Sequence, residues 1–119
     1  MQHFGAGMDA RNVPESWLST ANTLGELAFR VKDALLLVDD FNPVGSSSEI
    51  QRMHRDADRV FRGQGNAKGR GRMRSDTILR PEKRPRGSVI STGEEIPHGH
   101  SLGARLLILN VPRKLIKER

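Results

Sequence analysis

The chain of 119 residues contains no cysteine, which excludes disulfides, thiolate metal sites and cysteine catalysis and fits a reducing cytoplasm. It also lacks an apolar stretch approaching the roughly 20 residues that a membrane-spanning helix needs. The residues from Met1 to Gly5 do not have the layout of a signal peptide. We therefore expect a soluble, cytoplasmic protein without membrane contacts.

The positive charge is concentrated in one segment. The formal net charge is +6, but residues 1–61 and 87–119 together contain eleven basic and twelve acidic residues. Residues 62–86 contain only two acidic residues, Asp76 and Glu82, so this segment predicts a surface that faces a polyanion. Its nine basic residues are Arg62, Lys68, Arg70, Arg72, Arg74, Arg80, Lys83, Arg84 and Arg86.

The most informative pattern is the apolar run from Ala34 to Val38, which ends in Asp39 and Asp40. An apolar run without alternation is typical of a strand covered on both faces of a parallel sheet. Ligands of such sheets bind outside the carboxyl ends of the strands, so the two carboxylates are candidates for a ligand site. The alternative is a buried strand followed by a solvated Asp-Asp turn.

Two helices flank this strand. The first has an apolar stripe, Leu24, Leu27, Ala28 and Val31, and begins at Thr23, Ser19 or Thr20. The second begins at a capping box of Ser46 and Glu49, and Gly63 is expected to end it. Its predicted inward face is Ile50, Met53, Ala57, Val60 and Phe61.

Two further strands are predicted downstream, over residues 87–93 and 105–111, the second stopped by Pro112. Residues 64–86 are rich in Gly, Arg and Pro and too poor in apolar groups to pack by themselves, which predicts a long basic loop or flexible hairpin. Strands alternating with helices or loops predict an α/β fold with a parallel sheet.

Polar residues at the strand ends suggest chemistry on phosphates. Thr92 could hold an attacking water near a terminal phosphate, and Arg105 could neutralise developing charge, usually on a neighbouring subunit's nucleotide. The alternative for Arg105 is an ordinary charged residue at the mouth of a strand.

Four motifs together carry a resemblance to a known family. The chain resembles, over most of residues 5–112, the bacterial domain-of-unknown-function P-loop ATPases that accompany primases and helicases on phages, plasmids and integrated elements. The motifs are Trp17-x-Ser19-Thr20-x-Asn22-x-Leu24, the run from Asp33 to Asp40, the stretch from Gly65 to Arg72, and Ser91-Thr92-Gly93-Glu94-Glu95.

The resemblance implies a RecA- or AAA-like core, Mg²⁺ and ATP as cofactors, a homo-oligomeric ring in the intact protein and a role in DNA replication or mobilisation. Asp39 would be the magnesium-side carboxylate and Asp40 would orient the attacking water. Many such ATPases have Glu at the second position. Thr92 would be the sensor-like hydroxyl, and Arg105 would act in trans.

The sequence departs from the family in one respect, because it contains no Gly-x-x-x-x-Gly-Lys-Ser/Thr loop to cradle phosphates. In the family that loop precedes the part that resembles residues 1–10. The resemblance therefore implies a connector (1–18), the downstream half of a P-loop ATPase core (19–112) and a basic tail (113–119). We expect such a fragment to bind nucleotide weakly or undetectably alone.

The basic stretch around residues 63–74 is the candidate for contacting DNA, with Lys68, Arg70, Arg72 and Arg74 neutralising phosphates of single strands or duplexes without sequence specificity. The stretch has no aromatic residue for base stacking. A non-catalytic nucleic-acid-binding remnant is therefore the alternative function, and a solvated loop is the alternative for the stretch itself.

His98 and His100 lie near Glu94 and Glu95. This spacing suggests a metal site, but no further ligand pair supports it, and a polar turn is the favoured interpretation.

Overall fold

The computed structural model describes residues 15–69, 81–112 and 115. Five elements follow one another: β1 (Glu15–Ser16), α1 (Ala21–Arg30), β2 (Leu35–Phe41), α2 (Ser47–Gly65) and β3 (Ser88–Gly93). The three strands form one parallel sheet in the order β1-β2-β3, which confirms the predicted parallel α/β architecture. No helix in the described ranges is long and apolar enough to cross a membrane.

The predicted connector over residues 1–18 includes Glu15 and Ser16, which instead form β1 and pair with β2. Trp17 follows directly and is 4% exposed. Its indole ring packs edge-on against Phe41, with 5.4 Å between ring centroids, and against Phe61 at 5.5 Å. Residues 1–14 lie outside the described part of the chain, as does the predicted basic tail apart from Leu115.

The helix starts agree with the capping patterns. Thr20, one of the three predicted starts, caps α1 by accepting a hydrogen bond from the Thr23 backbone N–H at 3.2 Å. Ser46 and Glu49 form the predicted capping box of α2, and hydrogen bonds from Ser46 to the Glu49 carboxylate hold the pKa of Glu49 below its usual value.

The end of α2 differs from the prediction, because the helix continues past Gly63 to Gly65. The left-handed residue that terminates it is Ala67, with φ of 48°. The Lys68 N–H donates to the Gly63 carbonyl and the Ala67 N–H to that of Gln64, which is a Schellman arrangement with alanine in the usual glycine position.

Both helices cover the same face of the sheet, since each adds buried residues to one core cluster. From β2 this cluster receives Leu36, Val38 and Phe41. The opposite face carries Leu35 and Leu37, which are only half-buried, and Ile90, which is 49% exposed. The prediction that the strand is covered on both faces is therefore wrong within the described residues. The predicted inward face of α2 is buried at Ala57, Val60 and Phe61 and partly buried at Ile50 and Met53.

The predicted third strand over residues 105–111 is wrong. This segment is not a strand, and the side chains of Leu107 and Leu109 are 87% and 77% exposed. An apolar run forms a strand only when a neighbouring strand pairs with its backbone, and no described strand lies beside this one.

Candidate functional site

Two of the sequence-predicted site residues meet at the carboxyl ends of adjacent parallel strands. The Thr92 hydroxyl donates a hydrogen bond to the Asp39 carboxylate. The same hydroxyl oxygen accepts a hydrogen bond from the Asp40 backbone N–H at 3.2 Å. Asp40 and Thr92 are exposed and Asp39 is half-exposed, so the cluster opens to solvent.

A one-residue bulge in β2 shapes this cluster. Val38 pairs with Ser91 and Phe41 pairs with Gly93. Between these two pairs the chain advances three residues in β2 but only two in β3. The extra residue brings Asp40 into the left-handed region with φ of 62°, a conformation that aspartate adopts more readily than most residues. The bulge shifts the alternation of the strand, so Phe41 enters the core while Asp39 and Asp40 both remain outside it.

Gly93 permits the close approach of the two strand ends. A Cβ atom at this position would lie 2.6 Å from the Phe41 carbonyl oxygen and 2.7 Å from the Phe41 Cβ. The next residue, Glu94, donates its backbone N–H to the same carbonyl at 3.1 Å. The glycine of the Ser91-Thr92-Gly93 motif is therefore required by contact with β2.

Two hydrogen bonds donated by Trp17 hold the strands of the site together, and the sequence did not predict them. The Trp17 indole N–H donates to the Ser91 hydroxyl at 2.8 Å, and the Trp17 backbone N–H donates to the Asp39 carbonyl at 3.2 Å. The first contact joins residues 74 positions apart. No local sequence pattern signals such a pair, although a large aromatic ring with a polar N–H often pairs that group when it is buried.

Arg105 lies at the other end of the sheet. Its guanidinium donates to the Asn66 side-chain oxygen at 3.2 Å and to the Ser101 carbonyl at 2.7 Å. Asn66 caps the carboxyl end of α2, and the neighbouring Gln64 donates its side-chain amide to the Gly87 carbonyl, just before β3 begins. Arg105 therefore does not join Asp39 and Thr92 within one chain.

The described parts of the basic segment, residues 62–69 and 81–86, meet at this same amino end. A Cβ atom at Gly69 would overlap the Lys83 carbonyl, so the backbones of these two residues lie against each other. Lys83 binds both carboxylate oxygens of Glu26, at 2.6 and 2.7 Å, and lowers the pKa of that carboxyl. Lys68 is exposed, whereas the predicted DNA-contacting residues Arg70, Arg72 and Arg74 lie outside the described residues.

His98 stacks on His54, with ring centroids 4.2 Å apart and an interplanar angle of 4°. The His98 backbone N–H donates to Nδ1 of His54 at 3.2 Å. Burial lowers the pKa of His54, and the neighbouring His98 lowers it further. Among the described residues no group of three His, Asp or Glu side chains could hold a metal ion, His98 and His100 included.

Comparison of the chain with protein-family models, with curated proteins and with solved structures found no match.

Proposed function

We propose that this cytoplasmic chain is the downstream part of a P-loop ATPase core, from a helicase- or primase-associated protein of a mobile genetic element. The observation that carries the proposal is the hydrogen bond between Thr92 and Asp39 across adjacent parallel strands. A carboxylate and a hydroxyl at this edge are positioned where parallel α/β sheets bind their ligands.

The donor groups at this edge fit magnesium. Mg²⁺ keeps several water ligands and is usually bound through one or two carboxylates together with substrate phosphates. Asp39 would hold it, directly or through water, and the ion would neutralise charge on the transferred phosphate. The cluster is open to solvent, which leaves space for those waters.

Within this proposal the protein residues position the reactants. Thr92 fixes the Asp39 carboxylate and is held in turn by the Asp40 N–H. Asp40, turned out of the strand by the bulge, orients the attacking water. Arg105 lies at the opposite end of the sheet in its own chain, so the proposal assigns it to the nucleotide of a neighbouring subunit in a ring.

The sequence contains no loop of the Gly-x-x-x-x-Gly-Lys-Ser/Thr type, so the phosphates of ATP have no cradle of backbone amides and lysine here. The proposal therefore requires a second segment, fused or separate, that supplies this loop. Reading the coding DNA immediately upstream tests for it directly.

The biochemical test compares the chain alone with the chain joined to the upstream segment. We expect ATP turnover only in the joined protein, and a decrease of about 100-fold or more after Asp39→Asn or Asp40→Asn. The matched control is Asp33→Asn, an exposed aspartate at the amino end of β2. Robust turnover by the chain alone, or full activity of the Asp39 and Asp40 variants, would refute the proposal.

A second candidate function is non-catalytic binding of DNA by the basic segment. The contact between Gly69 and Lys83 favours it, because it brings the exposed side chains of Lys68 and Lys83 to the same part of the surface. Binding should weaken steeply with salt and after the combined Lys68→Gln, Arg70→Gln, Arg72→Gln and Arg74→Gln change. A mobility-shift assay that shows no difference in this variant would exclude the segment.

A further inference from the structure

A cleft of about 330 Å³ lies between α1 and the carboxyl-terminal half of α2. Four basic residues, Arg59, Arg62, Lys68 and Lys83, line it against one acidic residue, Glu26. The cleft is therefore a cationic site separate from the Asp39 and Thr92 cluster.

Two of the four cations have no acidic partner among the described residues. Lys83 is paired with Glu26, and Arg62 approaches Asp58 at 3.5 Å. Arg59 and Lys68 form no ion pair with another described residue. Lys68 also lies at the negative end of α2, where a cation stabilises the helix, but Arg59 lies two turns inside the helix and has no such role.

Part of the cleft wall is made of small and apolar residues. Ala21, Gly25 and Ala28 come from α1, Val60 from α2, and Pro85 from the segment before β3. The volume is in the range of small-ligand sites, and a base with its sugar can enter it, whereas a duplex can only lie across the rim.

We propose that this cleft seats one nucleotide of a single-stranded nucleic acid, with Arg59 and Lys68 holding the adjacent phosphates. The proposal rests on nucleic-acid binding by the basic segment and names its substrate class. Continuity along the chain supports it, because Gly69 and Pro81, which flank residues 70–80, both line the cleft. The cleft therefore lies where the chain enters and leaves residues 70–80.

The sharpest test fills the cleft without changing charge. A Cβ atom at Gly25 meets nothing within 4 Å, so Gly25→Leu projects into the open space of the cleft and should leave the helix intact. Fluorescence anisotropy with a labelled oligothymidylate should show about ten-fold weaker binding, while binding of a duplex of equal length stays unchanged. Gly103→Leu is the matched control, since a Cβ there also meets nothing and lies outside the cleft.

Arg59→Gln tests the phosphate contact. The slope of log K against log salt for the single strand should become smaller by about 0.7. If Gly25→Leu binds with unchanged affinity while the combined Lys68, Arg70, Arg72 and Arg74 variant loses binding, nucleotide binding in the cleft is refuted. Nucleic-acid binding by the basic segment would then still be supported. An equal loss for the duplex, or competition by a polyglutamate peptide at equal charge concentration, would also overturn it. Absence of binding by the unmodified chain would overturn both proposals.

Discussion

The two ends of the sheet are built in different ways. At the carboxyl ends of the strands, Asp39 and Thr92 are joined by a hydrogen bond, and the neighbouring Phe41 is buried in the core. At the amino end, Lys83 and Arg105 are held on the surface by a carboxylate and by amide and carbonyl oxygens. The β2 strand, of seven residues, separates the ends by about 20 Å.

This separation places acidic groups at one end of a small sheet and basic groups at the other, and the proposed function assigns a cation to the first end and a polyanion to the second. Charges at these distances are largely screened from one another at physiological salt. Because the acidic end depends on packing and the basic end on exposed charges, the two ends should respond differently to mutation, salt and pH.

The largest difference should come from matched aromatic truncations. Phe41 is 1% exposed below the carboxyl edge, whereas Phe29 is 37% exposed beside Lys83. We expect Phe41→Ala to lower the free energy of unfolding by about 3–5 kcal/mol, and Phe29→Ala to lower it by less than about half as much. Urea denaturation followed by Trp17 fluorescence measures both, and equal losses would remove the distinction between the ends.

An intermediate effect is expected at the hydroxyl that links the two strands. Thr92→Val keeps the shape of the side chain but removes its bonds to Asp39 and to the Asp40 N–H, which should cost about 1 kcal/mol of unfolding free energy. Thr92→Ser restores the hydroxyl and should recover most of the loss. If the valine and serine variants unfold at the same denaturant concentration, the hydrogen bonds do not stabilise this edge.

The smallest expected effect is a pH dependence at His54. Its pKa is lowered in the folded protein, so the unfolded chain binds the proton more readily and stability falls as the pH drops below 6.5. Protonation of Nδ1 also breaks the hydrogen bond from the His98 N–H, while the nearby Glu95 opposes the shift.

Melting temperatures at about pH 7.5 and about pH 5.5 should therefore differ more for the unmodified chain than for His54→Gln. Exposed carboxylates affect both proteins alike and cancel in this comparison. An identical pH dependence of the two would show that His54 does not couple protonation to folding.

The sequence predicts the local parts of this fold well. Thr20, Ser46 and Glu49 have capping side chains that act on neighbouring N–H groups, so their roles depend on only a few residues. The approach of Asp39 to Thr92 was also predictable, because parallel strands bring their carboxyl ends to one edge.

The remaining features depend on distant pairings. The bulge at Asp40 is defined only by the register against β3, and the bond between Trp17 and Ser91 needs both strands in place. Arg105 was misplaced because an apolar run was taken for a strand, whereas the turn from Gly99 to Arg105 holds it near Asn66.

Because of the bulge, the hydrophobic pattern of β2 does not depend on the presence of Asp40. Removing the codon for Asp40 would leave Leu36, Val38 and the phenylalanine now after Asp39 in regular alternation, all facing the helices. The sheet would thus tolerate a strand one residue shorter, and its hydrophobic pattern does not require the second aspartate. Asp40 behaves as an insertion that the sheet accommodates. A variant with Asp40 deleted should therefore fold, and any loss of activity in it would be due to the missing carboxylate.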